Sequence, residues 1–181
     1  MKKVSMIALG LLAAAQVHAA AASDGTINFT GEIKGQTCKV SLNGGDSTGT
    51  VTLPTVAASM LKDEGQTAGT TRFTINLTEC ATAQGETATG DVYAYFEQGA
   101  NVNADGRLTN QGTAANVDLQ LLDNANQVVN VGSSVQSTSP TTATLDDAGA
   151  ATLTYSAQYY STGGAGSGSV ASSVTYSINY L

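Results

Sequence analysis

Acid-base and nucleophilic chemistry near neutral pH draws first on histidine, and this sequence has one, His18. It lies in a segment read below as a removable leader, so the rest of the chain lacks the parts for Ser-His-Asp or Cys-His catalysis and the commonest zinc ligand sets. Asp146 and Asp147 could be offered as a carboxylate pair for hydrolysis. They stand between Thr144-Leu145 and Ala148-Gly149, however, which reads as a turn. Asn101-Val102-Asn103-Ala104-Asp105-Gly106 resembles the opening of a calcium loop. Its twelfth position is Gly112, where a bidentate glutamate is needed, so it reads as a surface loop. What remains is Cys38 and Cys80. In an exported chain an even cysteine count reads as one disulfide, with two buried free thiols as the alternative. Closing the long loop between them would stabilise the fold by roughly 4 kcal/mol on the chain-entropy model.

The oxidising compartment follows from the first residues. Lys2 and Lys3 precede an apolar run over 4–15, and Val17-His18-Ala19 places small residues at the usual cleavage positions. Residues 1–19 are therefore expected to form a signal peptide cut after Ala19, with Ala20, Ala21 and Ala22 leaving the site open by a few residues. The run falls short of the roughly 20 residues that span a bilayer, and no later segment comes close. About 160 residues then remain, the size of one domain. Losing Lys2 and Lys3 leaves five basic residues against 14 acidic ones, which speaks against nucleic acid as a partner. Charged residues make up 12% of the chain, about half the ordinary share, as expected of a surface largely covered by contacts.

A period of two runs through most of the sequence, the mark of half-buried strands. Cys38, Val40 and Leu42 alternate ahead of a turn at Asn43-Gly44-Gly45-Asp46. Val51 and Leu53 predict a short strand stopped by Pro54, which lacks a ladder donor. Further strands are expected at Phe73-Ile75-Leu77, at Val92-Ala94-Phe96 with Tyr93 and Tyr95 on the other face, at Val117-Leu119-Leu121, through Val128, Val129 and Val131, and at Leu153-Tyr155-Ala157-Tyr159. Only 56–64 has helical character, enough for a connecting turn or two. The glycine- and serine-rich run 161–169 reads as a hairpin loop. The plan is an all-β sandwich or barrel.

Two segments look unfinished alone: Gly25-Thr26-Ile27-Asn28-Phe29-Thr30-Gly31-Glu32-Ile33 near the start and Val174-Thr175-Tyr176-Ser177-Ile178-Asn179-Tyr180-Leu181 at the end. With Cys38-Lys39-Val40, Leu53-Pro54, Phe73-Thr74-Ile75-Asn76-Leu77-Thr78-Glu79-Cys80, Asn116-Val117-Asp118-Leu119-Gln120-Leu121-Leu122-Asp123 and Tyr155-Ser156-Ala157-Gln158-Tyr159-Tyr160, they closely resemble the major pilins of chaperone-usher fimbriae, the type 1 fimbrial subunit family. The penultimate Tyr180 and Gly168, fourteenth from the end, fit that pattern, while Pro54 stands where the family often has glycine.

The resemblance implies an incomplete immunoglobulin-like β-sandwich lacking its last strand and completed by a donor strand from a neighbouring subunit. It assigns 20–31 as the donor extension and 32–181 as the pilin domain. In an extended strand Gly25, Ile27, Phe29 and Gly31 face one way and Thr26, Asn28 and Thr30 the other, so a slip of one residue would turn Asn28 and Thr30 inward. Val174, Tyr176, Ile178 and Tyr180 form the apolar face of the last strand, expected to border the groove and, with the Leu181 carboxylate, to meet the chaperone. The implied partners are identical subunits, a periplasmic chaperone, an outer-membrane usher and a tip adhesin, with no cofactor. The implied role is a structural one at the bacterial surface after passage through the periplasm, supporting adhesion and biofilm formation rather than catalysing a reaction. A glycan-binding adhesive or minor fimbrial subunit is the alternative.

Overall fold

The computed structural model describes residues 27–30, 35 and 37–181. Gly25, Gly31 and the leader at 1–19 lie outside the described residues. The chain divides into two units, Met1–Glu32 and Ile33–Leu181. In the first, residues 27–30 take no regular secondary structure, and Ile27 and Phe29 are 78% and 89% exposed.

The second unit is a two-sheet sandwich. Among the described residues it contains β1 (Thr37–Leu42), β2 (Thr67–Ala81), β3 (Asp91–Phe96), β4 (Leu108–Thr109), β5 (Val117–Leu122), β6 (Val128–Val129), β7 (Ala143–Thr144), β8 (Ala151–Ser161) and β9 (Tyr176–Tyr180). One sheet runs β1-β2-β8-β5-β4, with β6 added to β5; the other runs β7-β3-β9. All pairings are antiparallel. Alternation explains the packing: Phe73, Ile75 and Leu77 of β2, Val92, Ala94 and Phe96 of β3, and Leu153, Tyr155 and Ala157 of β8 all turn into one buried cluster. Phe96 meets Tyr155 edge to face across the two sheets, ring centroids 5.0 Å apart. Tyr93, placed by alternation on the outer face, is buried as well.

Local turn chemistry fixes the strand ends. Asn43 and Gly44 both have positive φ, 51° and 78°, and Gly45 N–H donates to Leu42 O at 2.9 Å, closing the tight turn after β1. The Asp146-Asp147 pair is also a turn, in which Asp146 Oδ1 accepts from Ala148 N and Ala150 N, each at 2.9 Å.

Several expectations change. The run 161–169 is not a hairpin loop: β8 and β9 belong to different sheets, so it carries the chain from one sheet to the other. It packs close on the way, since a Cβ on Gly168 (φ +156°) would lie 2.5 Å from Ala114 N. Val131 is buried but lies beyond β6, and Val174 precedes β9. The helical expectation over 56–64 reduces to a single 3-10 turn, Ala58–Met60. A short helix, α1 (Val135–Thr138), and the two-residue strands β4 and β7 add elements too brief to show a period in sequence. Val51 and Leu53 do not form a strand, for a reason that belongs to the site.

Candidate functional site

The inward side chains of this sandwich are buried to unequal degrees. The inward residues of β2, β3 and β8 just named are 7% exposed or less. Their counterparts Cys38, Val40 and Leu42 on β1, and Tyr176, Ile178 and Tyr180 on β9, pack against the same cluster but stay partly exposed. β1 pairs only with β2 and β9 only with β3 among the described residues, so each has an open edge.

Between β1 and the 3-10 turn lies the other margin of this opening. Val51, Leu53 and Val56 are half-buried while Thr52 and Pro54 are exposed, the alternation of a strand. Yet no backbone hydrogen bond joins 47–56 to another described segment. The sequence pattern was right about the side chains; pairing failed because no described strand lies alongside. Before β9, Val170, Ser172 and Val174 continue the half-buried alternation of Tyr176, Ile178 and Tyr180, with 171, 173, 175 and 177 exposed. Two edges, 49–56 beyond the bend at Ser47 and Thr48, and 170–180, thus stand beside partly uncovered core.

This arrangement carries two costs. Apolar surface is left in water, at about 25 cal/mol per Å², and a row of backbone donors and acceptors is left without a ladder. Three tyrosine hydroxyls reach this opening, and two of them partly answer the second cost at backbone carbonyls. Tyr176 donates to Ser47 O at 2.8 Å, Tyr159 donates to Pro54 O at 3.2 Å, and Tyr180 lies 3.4 Å from Cys38 Sγ. Burial raises the Tyr176 and Tyr180 hydroxyls above the usual 10.0, keeping them neutral and able to donate.

Cys38 and Cys80 are joined in a disulfide that ties β1 to β2 at this opening. Leu181 N–H donates to Asp91 O at 2.9 Å, extending the β9-β3 ladder to the last residue. The structure therefore brings Tyr176, Ile178, Tyr180 and, just ahead of them, Val174 onto one face, with Cys38 within reach of Tyr180. Gly168 belongs to the sheet-to-sheet crossing. Sequence reading leaves out Val40, Leu42, Val56, Val170 and Tyr159 as lining residues. Their alternation was the available signal, but nothing in it says which alternating segments lack a partner.

The loop at Asn103 has other work. Asn103 Oδ1 accepts from Asp105 N and Arg107 N at 3.1 and 3.0 Å, and its Nδ2 donates to Asp118 Oδ2 at 2.8 Å. Asp105 and Asp118 both hold Arg107, at 2.6 and 3.3 Å. These oxygens brace the end of the sheet. No described helix is long and apolar enough to cross a membrane.

Comparison with known proteins bears on the same fold. The family model for type-1 fimbrial protein, A, matches residues 53–181. The major fimbrial subunit SMF-1 of Stenotrophomonas maltophilia is 43% identical over 177 residues, covering 94% of this chain and 99% of the relative. The F17 fimbrial protein of Escherichia coli is 43% identical over 185 residues, covering 99% of both. Among solved structures, the P pilus rod subunit PapA superposes with a TM-score of 0.58 at 17% identity, covering 79% of this chain and 99% of that one. A subunit of a chaperone-usher pilus also gives 0.58, at 19% identity, covering 88% and 96%.

Proposed function

The chain belongs to the type-1 fimbrial protein family, and on that footing we propose that it polymerises into a surface fimbria by lending its 20–31 extension to the open groove of the next subunit. The carrying observation is the contrast in burial: the inward faces of β2, β3 and β8 are closed, while those of β1, 47–56 and β9 are half open. An extended segment entering there would satisfy the two bare edges with main-chain hydrogen bonds and cover the apolar floor with alternate side chains, the strand-addition mode for which the handling of pilins is a standard example. The donor has matching chemistry. Ile27 and Phe29 are exposed and share one face of an extended strand, and each contributes about 1.5 to 3 kcal/mol on full burial. Gly25 and Gly31 on the same face suit places where two backbones approach closely.

During export the open groove would be covered by a temporary strand until the next subunit arrives. A periplasmic chaperone supplies it in this reading, pairing with β9 and receiving the Leu181 carboxylate; an outer-membrane usher then exchanges the chaperone strand for the next subunit's extension, and a tip adhesin caps the fibre. The leader at 1–19 provides entry to that route. The role is structural, serving attachment of the cell and growth of a biofilm.

Deleting 23–30 tests this. The truncated subunit is expected to accumulate with its chaperone and to extend no fibre. Fibres of normal length from it, seen by electron microscopy, would overturn the reading.

A further inference from the structure

Past a bend at Ser47 and Thr48, the run 49–56 poses a mechanical question: it lies against the core without a further bend although no described strand pairs with it. Half-burial of Val51, Leu53 and Val56 fixes one face, but apolar contact is non-directional and leaves the segment free to slide or twist. Directional contacts sit near its two ends. At 47, the hydroxyl of Tyr176 from β9 donates to the Ser47 carbonyl at 2.8 Å; at 54, the hydroxyl of Tyr159 from β8 donates to the Pro54 carbonyl at 3.2 Å. One tyrosine comes from each sheet.

Tyr159 is itself placed with little freedom. Gly69 of β2 has φ +69°, and a Cβ there would lie 2.9 Å from two Tyr159 ring atoms and 3.2 Å from Val56 Cγ1. The ring thus lies over a glycine that makes room for it, with Val56 alongside. Proline at 54 completes the arrangement. It narrows φ at its own position and biases the residue before it, Leu53, toward extended backbone, while its carbonyl remains available to Tyr159.

We infer that Tyr159 and Tyr176 are positioning residues: their hydroxyls hold the unpaired run 49–56 at the margin of the groove, one at the bend that leads into it and one at Pro54, so that an incoming strand meets a prepared edge. The inference rests on the groove reading above. Once a donor strand pairs with this edge, its main-chain ladder holds the segment, and the two hydroxyls become largely redundant. Their effect therefore falls on how fast a strand docks rather than on how stable the completed fold is, the usual mark of preorganisation.

The test uses the full mature chain with Phe29→Asp in its own extension, which disables it as a donor but leaves its groove native. A synthetic peptide of residues 20–31 is the probe. Tyr159→Phe and Tyr176→Phe keep both rings and remove only the hydroxyls. Both bonds are water-accessible, so each is worth the low end of the usual range; docking is expected to slow about threefold for each variant and roughly tenfold for the pair. The melting temperature of the peptide-bound form should stay unchanged. Tyr160→Phe is the control, because Tyr160 stacks under Arg107, 4.1 Å from its guanidinium carbon, away from this edge. Unchanged docking in the double variant would overturn the inference, as would an equal loss of stability in the peptide-bound form, which marks an ordinary structural role. If the parent chain takes up no peptide at all, the groove reading itself fails, and the inference falls with it.

Discussion

Replacing Phe29 by alanine in the donor segment isolates the contribution of one side chain to subunit joining. In the single chain Phe29 is 89% exposed, so almost none of its burial has yet been realised. Full burial in a neighbouring groove is worth about 1.5 to 3 kcal/mol for such a side chain, which corresponds to roughly 10- to 150-fold in a dissociation constant. Synthetic 20–31 peptides, native and variant, would be titrated against the donor-disabled mature chain by calorimetry. Phe29→Ala should weaken binding within that range and Ile27→Ala should do similarly. Phe29→Asp should abolish it, because an unpaired carboxylate would enter an apolar floor. Thr30→Ala is the internal standard: Thr30 faces the other way in an extended strand and should change affinity by no more than about 0.5 kcal/mol. Equal losses for Thr30→Ala and Phe29→Ala, or an affinity within twofold of native for Phe29→Ala, would refute the facing assigned to this strand.

Three further outcomes can be checked on the subunit itself. Replacing both Cys38 and Cys80 by serine removes a crosslink spanning 42 residues and should cost roughly 4 kcal/mol in urea unfolding of the peptide-bound form. Gly69→Ala combines a left-handed backbone, φ +69°, with a Cβ 2.9 Å from the Tyr159 ring, and should destabilise by about 1 to 3 kcal/mol in the same assay. Burial raises the hydroxyls of Tyr155, Tyr176 and Tyr180 above 10.0 in the folded chain, with repulsion from Asp123 adding to the rise at Tyr155 and the Ala94 backbone opposing it. Unfolded tyrosines then lose their protons first, so this stability is fully present below pH 10.0 and falls as pH rises from there through the folded values; thermal melts from pH 8 upward should show no tyrosine-linked loss until about pH 10, and a stability that rises beyond it would contradict the sign.

The amino-acid sequence alone determined most of the local structure. Period-two alternation at 38–42, 73–77, 92–96, 117–121 and 153–159 became β1, β2, β3, β5 and β8, because a strand with one face on a core must alternate, whatever it pairs with. Asn43-Gly44 announced its turn through the backbone conformations those two residues tolerate. The cysteine pair was equally visible. Strands of two residues, β4 and β7, were not, since two positions cannot display a period.

Only the tertiary structure decided who pairs with whom. Alternation reports that a side chain has a buried face, but pairing is a property of two segments, and burial of one says nothing about the presence of the other. Val51-Leu53 therefore looked like a strand and lacks a partner among the described residues, and 161–169 looked like a hairpin loop and crosses between sheets. The same limit hid Tyr159, whose hydroxyl meets Pro54 across 105 positions of sequence. Incompleteness, the property on which the proposed assembly depends and which the family resemblance implied, is a relation between distant edges; no single alternation locates it, and its place at β1, 49–56 and β9 came from the tertiary structure.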